Sequence, residues 1–490
     1  MIINNKVKKL VVSTPQGESG ILHHDSRYSF NYGTGDRSCE ASLLMPIRPE
    51  SYSSGALPIV FAMNKPEGFL LQKIMGHFAK QGGLDDMKLL SIVGENQIGR
   101  LKYAEPEIKR KKISRPQIGL EELLKKHPNQ TLFDFLVDTY LESGISGVQP
   151  KVMIPDADKF IVDSKTTVTY SDLIVKSGGA EYPFLTQNEF LCMEAARFSL
   201  IDVPQCWLSE DGKLFVMKRF DLNDNKPLGF EDMSVLMGKQ PDIHGHFKYE
   251  SSYENIAKVI QLFCKQDAIE NKQKLFEYVA LSVMVRNGDA HLKNFGLLYE
   301  HPDAQQLPSL SPLYDVVTTT VYPHINPSTG VSLADRTMAL NLNKEKRYPS
   351  RKEIIQFGAD ICHVSKPQEV LERIGNGMSE ALLAHREKIE PKFFDLMSGE
   401  WDKGRMSIGP DRFYVTGNIE NIVTKGIHIG EIIDVSDEVV VQKTGRKPDE
   451  ITRHDVSLLS KTVAKGEVLE IKYIDGHGIV SGKPLGVEVE

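Results

Sequence analysis

Apolar and polar positions alternate at the start of the chain. Val7, Leu10 and Val12 recur among lysines, the pattern of a short half-buried strand. A more helical stretch runs from Gly68 to Lys80, so residues 1 to about 104 read as a small α/β module. The pattern breaks at EPEIKRKKISRPQ, residues 105–117. Two prolines and the successive basic residues Lys109 to Lys112 predict an exposed connection. From 118 to about 398 strand-like and helix-like segments alternate. IGLEELLKKH is helical, and ESGISGVQPKVMI is a glycine-punctuated loop leading into a strand. SDLIVKSGG is a strand with Leu173 and Val175 on one face and Lys176 on the other. TQNEFLCMEAARFSL starts a helix, with Thr186 and Glu189 at capping-box spacing. LFVMKRFDL is another strand. KLFEYVALSVMVRNG is a helix with Leu275, Phe276, Val279 and Val283 on one stripe, ended by Asn287-Gly288. Beyond about 405 the period changes to two. Leu469, Ile471 and Tyr473 alternate with Glu470 and Lys472, and Gly-rich turns separate such runs, predicting a small β domain.

Composition narrows this picture. A chain of 490 residues with 40% hydrophobic content allows two or three domains with sizeable cores. A net charge of −7 argues against nucleic-acid binding through bulk charge. The five cysteines are scattered, with no C-x-x-C pair, so neither a zinc site nor a disulfide framework is indicated. The N-terminal apolar run is too short for a signal peptide, and no stretch approaches 18 apolar residues. The expectation is a soluble cytoplasmic protein with no membrane association.

Candidate chemistry concentrates in RNGDAHLKNFGLLYE, residues 286–300. Asp289 and Asn294 stand five apart in a polar bend between an apolar helix and an apolar strand. Protein kinases use such a pair, the Asp to orient the acceptor hydroxyl and the Asn to hold a metal ion. Magnesium is a hard cation that prefers oxygen ligands. Asp and Asn are also common loop residues, so the pair alone fits solvation equally well. Asp315 in LSPLYDVV, 21 residues after Asn294, supplies a second metal carboxylate, with Val316-Val317 where kinases usually carry Phe-Gly. A kinase also needs a strand lysine for the nucleotide phosphates. Lys176 and Lys218 both qualify, and an outward lysine on an edge strand explains either as well. His291 reads as a structural residue of the bend. His244 and His246 lack an evident third metal ligand.

Taken in order, SGISGVQPK, DLIVKSGG, FEDMSVL, KYES, RNGDAHLKNFGLL and LSPLYDVV resemble the HipA family of serine/threonine kinases, the toxins of HipA–HipB toxin–antitoxin systems. The resemblance implies an α/β (α+β), bilobal kinase-like core over 116–400, preceded by an N-terminal α/β subdomain over 1–115. It implies ATP and Mg2+ as cofactors. Asp289 would be catalytic, Asn294 and Asp315 would hold the metal, and Lys176 rather than Lys218 would contact the phosphates. Lys293 would neutralise the transferring phosphate. Ser146, Gly147, Val148, Gln149 and Lys151 would form the phosphate-binding loop; Glu231, Asp232 and Met233 would form the adenine hinge. The family autophosphorylates a serine of that loop. Here Ser146 fits better than Ser143, because Gly144 stands where related loops often carry the first serine. Glu189 is left outside the catalytic set, its cap position being an equally good reason for it. The implied partners are a protein substrate such as an aminoacyl-tRNA synthetase, a HipB-like helix-turn-helix antitoxin, and DNA through that antitoxin. The segment 410–490 is similar to the KfrB-like domain of plasmid-associated proteins. The competing readings are a catalytically silent kinase-like corepressor and, further off, a metal-dependent nuclease.

Overall fold

The computed structural model describes residues 7–66, 84–94, 97–106, 120–125, 166–170, 172–178, 182–224, 226–242, 245–325, 335–409, 426–435, 439–445, 451–474 and 477–482, with a few isolated positions between them. The stretch expected to be helical at 68–80 and the basic connection lie largely outside these residues.

The N-terminal unit is an antiparallel sheet of five strands, β1 (Lys9–Thr14), β2 (Gly17–His24), β3 (Tyr28–Tyr32), β4 (Tyr52–Ser54) and β5 (Lys102–Ala104), in the order β4-β3-β2-β1-β5. The alternation read at the start of the chain is that of β1: Leu10 and Val12 are buried while Lys9 is exposed. Helix α1 (Asp86–Val93) is capped by Asp85, whose side chain accepts from Lys88 N at 2.9 Å.

Next comes a four-stranded antiparallel sheet of β6 (Thr166–Tyr170), β7 (Leu173–Ser177), β8 (Cys206–Leu208) and β9 (Leu214–Lys218), ordered β6-β7-β9-β8. Strand β7 is interior, paired along both edges by β6 and β9. Leu173, Ile174, Val175 and Lys176 are all buried. The outward, solvated lysine is not found at Lys176, which is buried. It is found at Lys218, exposed at the end of β9. Helix α2 (Leu185–Phe198) packs beneath this sheet.

Strand β10 (Gly229–Asp232) runs directly into the short helix α3 (Met233–Leu236), and helices α4 (Tyr253–Cys264) and α5 (Ala268–Met284) follow. Strand β10 pairs with β11 (Gly296–Tyr299), which pairs with β12 (Ser309–Leu310). The stripe expected on α5 is its core face: Leu275, Phe276, Val279 and Val283 are fully buried. Each such side chain contributes about 1.5–3 kcal/mol. The expected stop at Asn287-Gly288 is corrected. The helix ends at Met284, and Arg286 takes the left-handed turn at φ 58°. Gly288 is small for another reason: a Cβ there would fall 2.7 Å from the Thr337 carbonyl oxygen. Helices α6 (Pro367–His385) and α7 (Pro391–Ile408) complete this lobe.

The C-terminal unit is a five-stranded antiparallel sheet of β13 (Ile427–Val435), β14 (Val439–Lys443), β15 (Ile451–Asp455), β16 (Val468–Ile474) and β17 (His477–Ser481), ordered β15-β14-β13-β16-β17. Leu469, Ile471 and Tyr473 point inward and Lys472 outward, as their alternation requires. The whole is a mixed α/β kinase-like fold flanked by an N-terminal sheet and a β-rich C-terminal sheet. Among the described residues no helix is long and apolar enough to cross a membrane.

Candidate active site

Lys176 stands at the centre of the site. Its side chain is buried, and its ammonium donates to Glu189 of α2 and, at 3.0 Å, to Asp315 Oδ1. Glu189 is itself buried, with 1% exposure. The capping box expected of Thr186 and Glu189 does not form. Phe184 is the N-cap with no side-chain hydrogen bond, and Thr186 Oγ1 donates to the Gly212 carbonyl at 2.6 Å. Glu189 belongs with Lys176, so leaving it outside the site is corrected. The reason is tertiary: α2 turns this face toward β7, and a buried lysine needs a carboxylate near it.

Two loops carry the remaining groups. After α5, the left-handed Arg286 reverses the chain. The Asn287 side chain accepts from Asp289 N at 2.9 Å, and Gly288 N donates to Thr319 Oγ1 at 2.8 Å. This presents Asp289 half exposed, with the Tyr249 hydroxyl donating to its Oδ1 at 2.8 Å. Asn294 closes a single 3₁₀ turn. Its Oδ1 accepts from His291 N at 3.1 Å, and its amide nitrogen donates to Asp315 Oδ2 at 3.0 Å. Asp315 sits at φ 59°, a left-handed conformation that costs a non-glycine residue about 1–3 kcal/mol and persists only where the surroundings impose it. Here Lys176 and Asn294 hold one carboxylate oxygen each.

His291 fills the structural role expected of it. Its ring packs edge-on against Tyr249 at 5.2 Å, and burial holds its pKa down to about 4, so it is neutral at pH 7. Lys293 is half-buried beside Asp232, where its charge opposes the rise that burial imposes on that carboxyl. The three residues expected at the hinge turn their side chains into the fold. Glu231 accepts from Ser42 Oγ and Leu43 N at 2.8 Å and from Tyr299 OH at 2.6 Å. Asp232 caps α3 by accepting from Val235 N at 3.0 Å, and Met233 N donates to the Phe295 carbonyl at 2.9 Å. Any nucleotide contact here falls to the main chain. Loops of the N-terminal unit pack against β10. Arg100, 1% exposed, donates to the carbonyls of Ser38, Glu40 and Glu300 at 2.7–3.0 Å.

Ser143, Ser146, Gly147, Val148, Gln149 and Lys151 lie outside the described residues, as does His244. His246 lies in a surface turn, its backbone N–H on Asp242. Among the described residues no group of three or more His, Cys, Asp or Glu is arranged to hold a metal ion. Asn294 and Asp315 carry the oxygen donor types that a metal of the magnesium type takes, with water and phosphate completing its shell, but here Asn294 turns its amide nitrogen to Asp315 and its Oδ1 to His291 N–H. The charge fits too: one lysine between Glu189 and Asp315 leaves these three groups with a net negative charge.

Three family models match the chain. The HipA N-terminal domain matches residues 10–104, the HipA-like C-terminal domain 143–385, and the KfrB domain 427–482. The chain belongs to the HipA family. Among curated relatives of this HipA-family chain, an inferred kinase of Haemophilus influenzae is 29% identical over 235 residues, covering 44% of this chain and 66% of that one. Two further inferred kinases, from Sinorhizobium fredii, are 26% and 25% identical, and the match spans 47% and 49% of their lengths. The chain thus spans about half to two thirds of the curated relatives it matches. Among solved structures, the Shewanella oneidensis HipA chain, determined with HipB and operator DNA, superposes with a TM-score of 0.56. It has 15% identity and covers 80% of this chain and 95% of that one. At that identity the likeness concerns the fold.

Sequence reasoning brought together Lys176, Asp289, Asn294 and Asp315. It missed Glu189, and it quoted KYES without assigning Tyr249 a role. Nothing in the local pattern marks Asn188, whose side chain brackets Thr318 by accepting from its N–H at 2.7 Å and donating to its carbonyl at 3.0 Å.

Proposed function

We propose that this chain is an ATP- and Mg2+-dependent protein serine/threonine kinase. The observation that carries the reading is the convergence of Lys176, Glu189, Asn294 and Asp315 beside the half-exposed Asp289. In phosphoryl transfer the protein positions the reactants and neutralises charge rather than forming covalent bonds. Lys176 is held ready by Glu189 to meet nucleotide phosphates. Asp289 aligns the acceptor hydroxyl and receives its proton. Lys293 sits between the catalytic pair and offsets charge on the transferring group. Asn294 and Asp315 would hold Mg2+, which when bound would offset phosphate charge. The adenine would lie against the main chain of Glu231 to Met233, with Ser146, Gly147, Val148, Gln149 and Lys151 over the phosphates.

The acceptor is a protein hydroxyl. An aminoacyl-tRNA synthetase is the candidate that family resemblance offers, and Ser146, then Ser143, is the candidate for self-phosphorylation. Adding about two negative charges there would repel the nucleotide. The Shewanella chain was solved with HipB and DNA. A HipB-like helix-turn-helix partner and cytoplasmic toxin–antitoxin function are the corresponding proposals here.

The test is transfer from labelled ATP by the purified chain to itself or to lysate proteins. Wild type is expected to label, and Asp289→Gln is expected to reduce labelling at least 100-fold. Absence of transfer by the wild type, with nucleotide bound and a repressor partner engaging operator DNA, would favour the corepressor reading instead.

A further inference from the structure

Helix α7 stands between the catalytic loops and the C-terminal sheet, and within the run Trp401–Arg405 some residues contact the loops and Asp402 contacts the sheet. Toward the core, Trp401 Nε1 donates to Thr318 Oγ1 at 2.8 Å, three residues after Asp315. The Lys403 carbonyl accepts from Arg286 Nη2 at 2.8 Å, three residues before Asp289. Gly404 lies so close to the end of α5 that a Cβ would fall 1.8 Å from the Met284 carbonyl oxygen. Toward the sheet, Asp402 accepts from Arg453 of β15 at 2.6 Å through Oδ2, and from Arg405 at 2.5 Å through Oδ1. Asp402 and Arg405 are 3% and 0% exposed at the side chain, and Arg453 is 12% exposed. Arg405 also donates to Ser379 Oγ of α6 at 2.6 Å.

The two loops are themselves laced together. Thr319 donates to the Arg286 carbonyl through both its N–H and its hydroxyl at 3.1 Å, and the same hydroxyl receives Gly288 N–H. One short stretch of helix thus fixes the loop that carries Asp289 and the loop that carries Asp315. A carboxylate on the opposite side of that stretch is held by the C-terminal sheet.

We propose that the KfrB-type sheet is a positioning element of the kinase centre: Arg453, by fixing Asp402, sets the part of α7 on which the catalytic and metal loops rest. This rests on the kinase reading above and names how its site is controlled. The physical argument is contiguity. The Arg453–Asp402 bond is charge-assisted, and chains of packed side chains, hydrogen bonds and rigid elements of this kind are what carry coupling between sites. A tenfold loss of rate needs little misplacement of the aligning carboxylate. A ligand or partner that displaced β15 would act at the same point. Arg286, Asp402 and Arg453 are positioning residues under this proposal; none of them touches the reacting atoms.

The experiment uses the full chain. Arg453→Ala leaves Asp402 paired with Arg405, so the core retains its buried ion pair. The expected result is a fall in kcat of about fivefold with KM for ATP unchanged, and faster hydrogen exchange at amides 286–294 and 315–319 than in wild type. Arg453→Lys keeps the charge on a differently shaped head group and is expected to recover part of both. If Arg453→Ala unfolds, the lysine variant carries the same two readouts. Wild-type exchange in those amides and wild-type kcat in the folded variant would overturn the proposal. Should wild type itself transfer no phosphate, the kinase reading fails, and the exchange measurement alone decides the coupling.

Discussion

The Tyr249 hydroxyl donates to Asp289 Oδ1 at 2.8 Å, on the carboxylate that would align the acceptor. Tyr249 comes from a 3₁₀ turn 40 residues earlier in the chain, and its ring is braced by His291 at 5.2 Å. A hydroxyl on one carboxylate oxygen fixes the direction of the other. Tyr249→Phe removes that donor and keeps the ring. Water can reach the half-exposed Asp289, so the loss is partial. We expect kcat to fall about tenfold with KM for ATP unchanged, as checked by initial rates at saturating acceptor.

The Lys176–Glu189 pair makes a different expectation. Lys176→Ala leaves Glu189 buried without its cation, and breaking a buried pair in this way costs about 3–5 kcal/mol. Denaturant midpoints should show that loss, together with loss of ATP binding. Glu189→Gln keeps the shape and removes the charge. It should retain most of the stability while weakening nucleotide binding, measured by calorimetry. Equal loss of stability in both variants, with ATP binding unchanged in Glu189→Gln, would mean that the charge pair serves stability alone.

Acid should act through Glu194. Burial by itself would raise its pKa. Hydrogen bonds from His385, at 2.6 Å, and from Arg197, at 2.6 and 2.9 Å, outweigh burial and hold it down to about 2. A carboxyl lower in the folded than in the unfolded state stabilises fully above its unfolded value, here 4.5. That stability is lost as pH falls from there toward 2. The difference is on the order of 3 kcal/mol. Unfolding followed between pH 6 and 2.5 should show this decline, and Glu194→Gln should flatten it.

Glu231 ties β10 to a loop of the N-terminal unit. Burial raises its pKa, and donors from Ser42, Leu43 and Tyr299 oppose that rise. Glu231→Ala strands all three donors, each costing about 1–3 kcal/mol when buried and unpaired. A lower urea midpoint is expected, with faster proteolysis of the N-terminal unit. If the N-terminal unit and the hinge were independent, proteolysis there would not change.

Periodicity alone determined the elements whose burial follows a local rule. Leu10 and Val12 in β1, the α5 stripe, and Leu469, Ile471 and Tyr473 in β16 were legible because side-chain direction repeats every 2 or 3.6 residues whatever packs on top. The candidates Asp289, Asn294 and Asp315 were legible from residue type and spacing, and the choice of Lys176 came with the family resemblance. Tertiary structure decided the rest. Lys176 and Lys218 lie on neighbouring interior strands, and only the packing around them buries Lys176 against Glu189 and leaves Lys218 exposed at the end of β9. Glu189 looked like a helix cap until α2 turned it to Lys176. Tyr249 and Arg453 carry no local sign of their roles, because their partners, Asp289 and Asp402, are 40 and 51 residues away in the chain. Sequence specifies which groups exist and which way each element faces. Only the packing of distant elements specifies which charges meet.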